Sequence, residues 1–527
     1  MPTTVTIDAD ELAALLALRE AHGAQQGEHD ALLNKLRFVS AERDLAEERL
    51  RAYRRELFGA KSEARSADQL GLFNEAEALA GSATQPAQED TPTTKVAAHE
   101  RNKRGRKPLD ANLPRDVVRH ELPESERFCA NDGHALIEIG VETSEQIDVI
   151  PEQVRVVQHQ RVKYACPCCD LGIKVAPVPA RIIPRGLFTE SALAWIATGK
   201  YQFGMPLYRQ AVLLRRFGGD ISSNTVAAGM VRVGLAVQPV INLMRDALLE
   251  SELLYCDETT FQVLKEPGRR AQTKSYLWAQ MNGGAGVPIR LFTYTPGRGA
   301  QHAPNLFAGI KPGTALMSDG YALYDGIAHD HQLMHLGCWS HARRGFIKAE
   351  DALPKAARSG EQLATRFVQL IAKLYAAEAR SAEWEAKRRW RLRQRYSKRV
   401  LGRIEQLLVA HRDTVLPGSL LGKALYYLNG QWPKLIRYVD NGQWPISNNA
   451  CENAIRPFVV GRRGWLFSDT VGGAHASANL YSLVETCKAH RIDPYRYFAW
   501  LFQKLPQANN VDDYDALLPW NMPTDLR

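Results

Sequence analysis

Hydrophobic and polar positions follow two periods along this chain, a helical one at the N-terminus and a strand-like one near the middle. Residues 8–22 are rich in Ala and Leu at helical spacing, and beyond Gly23 and Gly27 a longer helical pattern runs from about Asp30 to Leu57. Leu36, Arg43, Leu50 and Leu57 fall at heptad position a, and Leu32, Val39, Ala46 and Tyr53 at position d. Seven of the eight are uncharged, which suits a coiled coil between copies; the alternative is an amphipathic helix docked on its own domain. Further helices are predicted over 189–250. There Pro206 to Phe217, the turn Gly218-Gly219, the N-cap cluster Ser222-Ser223-Asn224-Thr225 and Val226 to Val237 trace a helix-turn-helix, an outline that ordinary helical pairs share.

Beyond Glu252 the period shortens. Leu253 to Leu264 reads as a strand with Asp257 in its middle. Ser275 to Gln280 and Pro288 to Thr295 give two more strands, Ala303 to Phe307 a short helix, and Thr314 to Tyr321 an apolar strand that ends in Asp319 before a glycine. His335 to His341 reads as a last strand, running into a basic helix from Ala342. Three strands, helix, strand, helix, strand is the order of a ribonuclease H-like fold, a mixed α/β sheet. Residues from about 350 to 440 return to a helical, basic pattern, with Trp384, Trp390 and Tyr396 among arginines that include Arg389 and Arg393. Such interleaving suits a surface that tracks a DNA backbone and stacks on bases; a solvated helix with buried aromatics is the equal alternative.

The acids change this picture from fold to chemistry. A carboxylate within a buried strand is costly unless paired or metal-bound. Asp257 and Asp319, 62 residues apart, are therefore candidate metal ligands. Glu452, on the short helical stretch Ser447 to Phe458, is the third, with Arg456 one turn on along the same face. Singly each acid reads as a turn or surface residue, and Glu258 and Asp325 are rivals. Three converging carboxylates can hold Mg²⁺ (or Mn²⁺), two ions in a two-metal site. The 133 residues between Asp319 and Glu452 imply a helical insertion in the core.

Composition adds partners. At 527 residues several domains are expected, and 45% hydrophobic with 24% charged residues is ordinary for a soluble protein. No run of 18 apolar residues and no signal-peptide pattern appear, so a cytoplasmic, nucleoid-associated location with no membrane is expected. The net charge is +9, concentrated in Arg101 to Lys107 and Lys387 to Arg403. After a Ser/Thr/Pro/Ala-rich linker, Arg104-Gly105-Arg106 resembles an AT-hook for the minor groove, or a plain basic linker. Four of eight cysteines cluster between 129 and 169. Cys166 and Cys169 form a C-x-x-C knuckle after a hairpin-like stretch, Gln146 to Tyr164, and Cys129 lies 37 residues upstream of Cys166. A zinc ribbon with structural Zn²⁺ is expected, with Asp132, His134 or Cys168 completing the ligands. The organisation expected is a coiled-coil region 1–62, linker 63–100, basic arm and zinc-ribbon-like domain 101–185, helical domain 186–250, core 251–349, insertion 350–440, core helix with the catalytic Glu 441–480, and tail 481–527.

The motifs Tyr255-Cys256-Asp257-Glu258-Thr259, Ser318-Asp319-Gly320-Tyr321, Cys338-Trp339-Ser340-His341-Ala342-Arg343-Arg344 and Asn448 to Arg463 resemble the DDE transposases of the insertion-sequence family sixty-six. Ser482 to Lys488 and Asp493-Pro494-Tyr495 are similar to that family's C-terminal tail, and Asp132 departs from its first knuckle. The resemblance implies a DDE triad of Asp257, Asp319 and Glu452 that cleaves at terminal inverted repeats and joins the 3′-OH to target DNA. It implies double-stranded DNA as partner, at least a homodimer when element ends are paired, and companion proteins of the element. Arg343, Arg344, Arg456, Arg462, Arg463 and His341 are candidate phosphate contacts, His341 also reading as a packed histidine. The rival functions are a ribonuclease H-like nuclease without strand transfer and a non-catalytic DNA-binding regulator.

Overall fold

The computed structural model describes residues 8–58, 154–159, 163–165, 173–175, 180–284, 286–353 and 361–527. Arg104, Arg106, Cys129, Asp132, His134, Cys166 and Cys169 lie outside them, as do the linker and the basic arm. The chain forms two compact units, 1–83 with 158–527 and 84–157, and nearly all described residues belong to the first.

The N-terminal pattern forms one helix, α1 (Ala9–Phe58), not two. Each interior glycine costs about 1 kcal/mol relative to alanine, but a break at Gly23 or Gly27 would demand a second unfavourable nucleation. Its C-terminal half is tethered to the rest of the unit: Arg51 donates to the Ala352 carbonyl at 2.7 Å, and Glu48 accepts from the Leu420 amide at 3.2 Å. Leu32, Leu36, Val39, Leu50 and Tyr53 remain exposed. β1 (Lys163–Ala165) and β2 (Ile173–Val175) form a short antiparallel pair; most of the hairpin expected over Gln146 to Tyr164, and the C-x-x-C knuckle, lie outside the described residues.

Four helices follow: α2 (Glu190–Tyr201), α3 (Leu207–Arg216), α4 (Ser223–Ala236) and α5 (Gln238–Leu249). The expected cap is present, with the Ser222 hydroxyl accepting from the Thr225 amide at 3.2 Å. The exposed stripe of α4 is Asn224, Ala228, Arg232 and Leu235, while Val226, Met230 and Val233 are buried. No single helix among the described residues is long and apolar enough to cross a membrane; the α4–α5 pair, bent by 48°, passes on length and composition. Both helices contribute to the main core.

The central sheet comprises β3 (Leu253–Lys265), β4 (Lys274–Asn282), β5 (Arg290–Thr295), β6 (Ala315–Ser318) and β7 (Met334–Gly337), in the order β5-β4-β3-β6-β7. The β3–β4–β5 ribbon is antiparallel, and β6 and β7 run parallel to β3. Between them lie α6 (Ala303–Phe307) and α7 (Ala322–Asp330). The expected strand from His335 stops at Gly337, because Cys338 caps α8 (Trp339–Ala352) and His341 lies in that helix's first turn.

The insertion is helical: α9 (Leu363–Arg380), α10 (Ala386–Leu392), a π-helical turn (Arg393–Ser397), α11 (Lys398–His411) and α12 (Leu420–Leu435). With α8 it builds its own core, in which Phe346 stacks on Phe367 at 4.4 Å between ring centres. The chain then returns as α13 (Asn449–Trp465), β8 (Ser468–Thr470), α14 (Val471–Ala489), α15 (Pro494–Lys504) and α16 (Val511–Asp515). The boundary expected at 480/481 falls inside α14. This helix covers the edge strand β5: its Ser482 and Thr486 hydroxyls accept the Phe292 and Arg290 amides at 2.7 and 3.0 Å. An otherwise open strand edge is thereby satisfied.

Candidate functional site

Backbone register brings the first two acids together. The β3–β6 pairing ends with Tyr255 opposite Met317, and Asp257 and Asp319 each lie two residues further in the same direction. Asp257 is half-buried, and its Oδ1 accepts the Glu258 amide at 2.9 Å. Asp319, just past the end of β6, turns back to accept the Tyr321 amide at 3.0 Å.

Glu452 comes from the first turn of α13. That helix is fixed to the sheet by two side chains. Asn448, fully buried, donates to the Cys256 carbonyl at 3.1 Å, and the Cys451 thiol lies 3.4 Å from the Ala279 carbonyl. Cys451, for which the sequence suggested no role, is thus a packing contact between α13 and β4. Glu452 Oε1 is buried without a hydrogen bond, 3.7 Å from His341 Nδ1, and Oε2 lies 3.8 Å from Arg344.

Electrostatics join the three acids. Burial, then the charges of Glu258, Glu452 and Asp319, push the Asp257 carboxyl up to about 8. A carboxyl raised by burial and by anionic neighbours is one whose ionised form a cation stabilises. Glu452 Oε1, buried without a hydrogen bond, and the carboxylates at the ends of the β3–β6 register are oxygen donors of the kind a hard divalent ion takes.

The rival acids are committed elsewhere. Glu258 is held by the Arg298 guanidinium and the Tyr324 hydroxyl, and Arg298 also lies 3.5 Å over the Tyr321 ring. Asp325 pairs with Lys434 at 2.8 Å and with His335 Nδ1 at 2.9 Å, while His335 Nε2 meets the Ser318 hydroxyl at 2.8 Å. Burial lowers His335 to about 4, so a neutral imidazole bridges β6 to this ion pair near neutral pH.

Three of the candidate DNA contacts are buried or engaged within the fold. Arg343 is 1% exposed within the α8 core. Arg393 is equally buried: it grips Glu378 at 2.6 and 2.9 Å and donates to the Tyr438 and Trp444 carbonyls at 2.7 and 2.9 Å. Arg389 donates to the carbonyls of Ser381, Ala382, Trp384 and Gly442. A guanidinium whose donors are used inside the fold is not available to phosphate. Arg462 is held by the Thr260 hydroxyl at 3.0 Å and by its carbonyl. Arg463 is exposed, and Arg344, Arg456 and His341 are partly so.

Sequence reasoning missed Arg298, Asn448 and Cys338. Arg298 sits in a glycine-flanked turn that carries no signal. Cys338 had one: Cys338 and His341 form a C-x-x-H spacing.

The sequence that builds this site is matched by known families and relatives. A family model described as "Transposase IS66 family" matches residues 185–476. The chain belongs to the IS66 transposase family. The IS66 C-terminal element matches 482–520, a model described as "Transposase C of IS166 homeodomain" matches 46–118, and the zinc-finger binding domain of IS66 transposases matches 126–170. The last match covers Cys129, Asp132, His134, Cys166 and Cys169 and supports structural zinc there. Two similar proteins of Sinorhizobium fredii are uncharacterised protein y4qI, 31% identical over 80% of this chain and 78% of its own length, and y4jD, 28% identical over 83% and 88%. The IS66 assignment makes the chain a transposase with DNA as its partner.

Proposed function

We propose that this IS66 transposase cuts at the terminal inverted repeats of its element and joins the freed 3′-OH to target DNA at one site built from Asp257, Asp319 and Glu452. The observation that carries this reading is the convergence of three acids around an Asp257 carboxyl raised to about 8. The sheet order, an antiparallel ribbon followed by two parallel strands, supports a ribonuclease H-like core. Two divalent ions, Mg²⁺ or Mn²⁺, held by these acids would activate the attacking oxygen and stabilise the leaving one.

The chain's own residues do the rest. The ionised carboxylates set the ion-binding face, and β3, β6 and α13 fix their spacing. Arg463 and Arg456, following Glu452 on α13, and Arg344 on α8 contact the flanking phosphates, with His341 beside them. In cleavage, water attacks phosphorus and the P–O3′ bond breaks, leaving a 3′-OH and a 5′-phosphate. In joining, the 3′-OH attacks a target phosphodiester, its proton passes to solvent, and a target 3′-oxygen leaves. No protein–DNA covalent bond forms.

The remaining modules serve DNA capture. Arg104 and Arg106 enter the minor groove, the α3–α4 pair reads the element end, and exposed Trp390 and Tyr396 stack on bases. The exposed stripe of α1 pairs two copies as a coiled coil, matching two element ends, in a cytoplasmic, nucleoid-associated complex that companion proteins of the element join. The deciding experiment incubates the protein with terminal-repeat DNA, a target plasmid and Mg²⁺. Joined products are expected. Cleavage without joining would make it a nuclease, and binding alone a regulator.

A further inference from the structure

Cys338 is the residue of this region to which the proposed reaction gives no task. Its sulfur is buried at the N-cap of α8, a 14-residue helix. The Asn448 amide donates to Sγ at 3.2 Å. An N–H donor at the sulfur and the positive end of a helix are surroundings that stabilise a metal-bound thiolate. His341 follows one helical turn later. The ligand atoms of Cys338, His341 and Glu452 lie within 4.8 Å of one another. Mg²⁺ takes oxygen ligands, whereas sulfur with imidazole nitrogen and one carboxylate oxygen suits Zn²⁺, leaving a fourth position for water.

We infer that Cys338, His341 and Glu452 form a second cation site, for Zn²⁺ or a similar thiophilic divalent ion, and that its occupancy switches DNA cleavage off. Binding releases the Cys338 thiol proton to solvent, and the sulfur, the ring nitrogen and the carboxylate oxygen each donate a lone pair; nothing is oxidised or reduced. The two sites share Glu452. An ion on Cys338 and His341 holds that carboxylate away from Asp257 and Asp319 and leaves the oxygen site one ligand short. The inhibitory half rests on the proposed catalytic role of Glu452. The binding half stands on the cluster alone.

The test uses the full chain loaded with Zn²⁺ and freed of excess metal, with bound metal counted per chain. Wild type should hold one ion more than Cys338→Ser and one more than Glu452→Gln, since the zinc-finger ligands are unchanged in all three. Serine keeps an acceptor for the Asn448 amide, so Cys338→Ser retains the fold, which circular dichroism checks. Added Zn²⁺ should suppress Mg²⁺-dependent cleavage of terminal-repeat DNA by wild type and spare Cys338→Ser, whose basal cleavage is unchanged. Equal metal content in the three proteins overturns the site. Equal suppression of wild type and Cys338→Ser overturns the switch. A protein that loses its extra ion in the variants yet never cleaves DNA refutes the catalytic reading and upholds the site.

Discussion

Asp257 holds a proton that an exposed aspartate would give up near 3.8. Between that value and about 8 the folded chain therefore binds more protons than the unfolded one, and the metal-free protein loses stability as pH rises through this window. Asp257→Asn removes the penalty. Its melting temperature in chelator should exceed that of wild type at pH 8, with the gap closing toward pH 4; parallel pH profiles would refute the coupling. The same variant should lose DNA cleavage and retain end binding, measured by gel shift. Below pH 8, Mg²⁺ binding should release a proton, seen as a buffer-dependent heat in calorimetry. Other residues were legible only in part. Arg343 and Arg393 attract attention as cations, yet each is spaced as a core position: Arg343 lies between Trp339 and Phe346, and Arg393 leads Ser397, Val400 and Ile404 along one buried face. Charge argued for DNA, and the buried faces that hold both appear only in the folded chain. Replacing Arg393 with Met strands Glu378 in the insertion core and should cost about 3–5 kcal/mol in denaturant unfolding.

Among the elements, strands were the most legible. An acid in the middle of an apolar run, and another before a glycine, located β3 and β6 because burial leaves few residue types tolerable there. Helix starts were harder. Cys338 is an uncommon cap whose role depends on Asn448, 110 residues away, so the start of α8 could not be placed from local sequence. The docking of α4 on α14 was equally hidden, since it depends on two small residues far apart in the chain. A Cβ on Gly234 would lie 2.5 Å from that of Ala476. Gly234→Ala should force the two helices apart and destabilise the protein by about 1–3 kcal/mol, while Gly402→Ala on α11, where nothing lies within 4 Å of the added carbon, should not.

Across the whole molecule, the insertion and the sheet form separate hydrophobic cores, with Trp444 packed against both. The length of the interruption between Asp319 and Glu452 was legible, but which arginines clasp the returning chain was not, because carbonyl acceptors leave no trace in sequence. The exposed stripe of α1 makes a prediction at this scale. A chain lacking residues 1–40 should sediment as a monomer where the full chain sediments as a dimer, and unchanged sedimentation would remove α1 from assembly.

The grip of Arg393 on Tyr438 and Trp444 has a consequence for the order of events after synthesis. The segment leading to Asn448 and Glu452 is clasped by Arg393 of the insertion, so the placement of Glu452 depends on the packing of the intervening helices. Long-range contacts of this kind form late. A chain emerging from the ribosome, or one clipped within residues 350–440, carries two acids and an incomplete ion site. On the function proposed above, the insertion would act as an assembly checkpoint, with cutting possible only once the whole catalytic unit is folded.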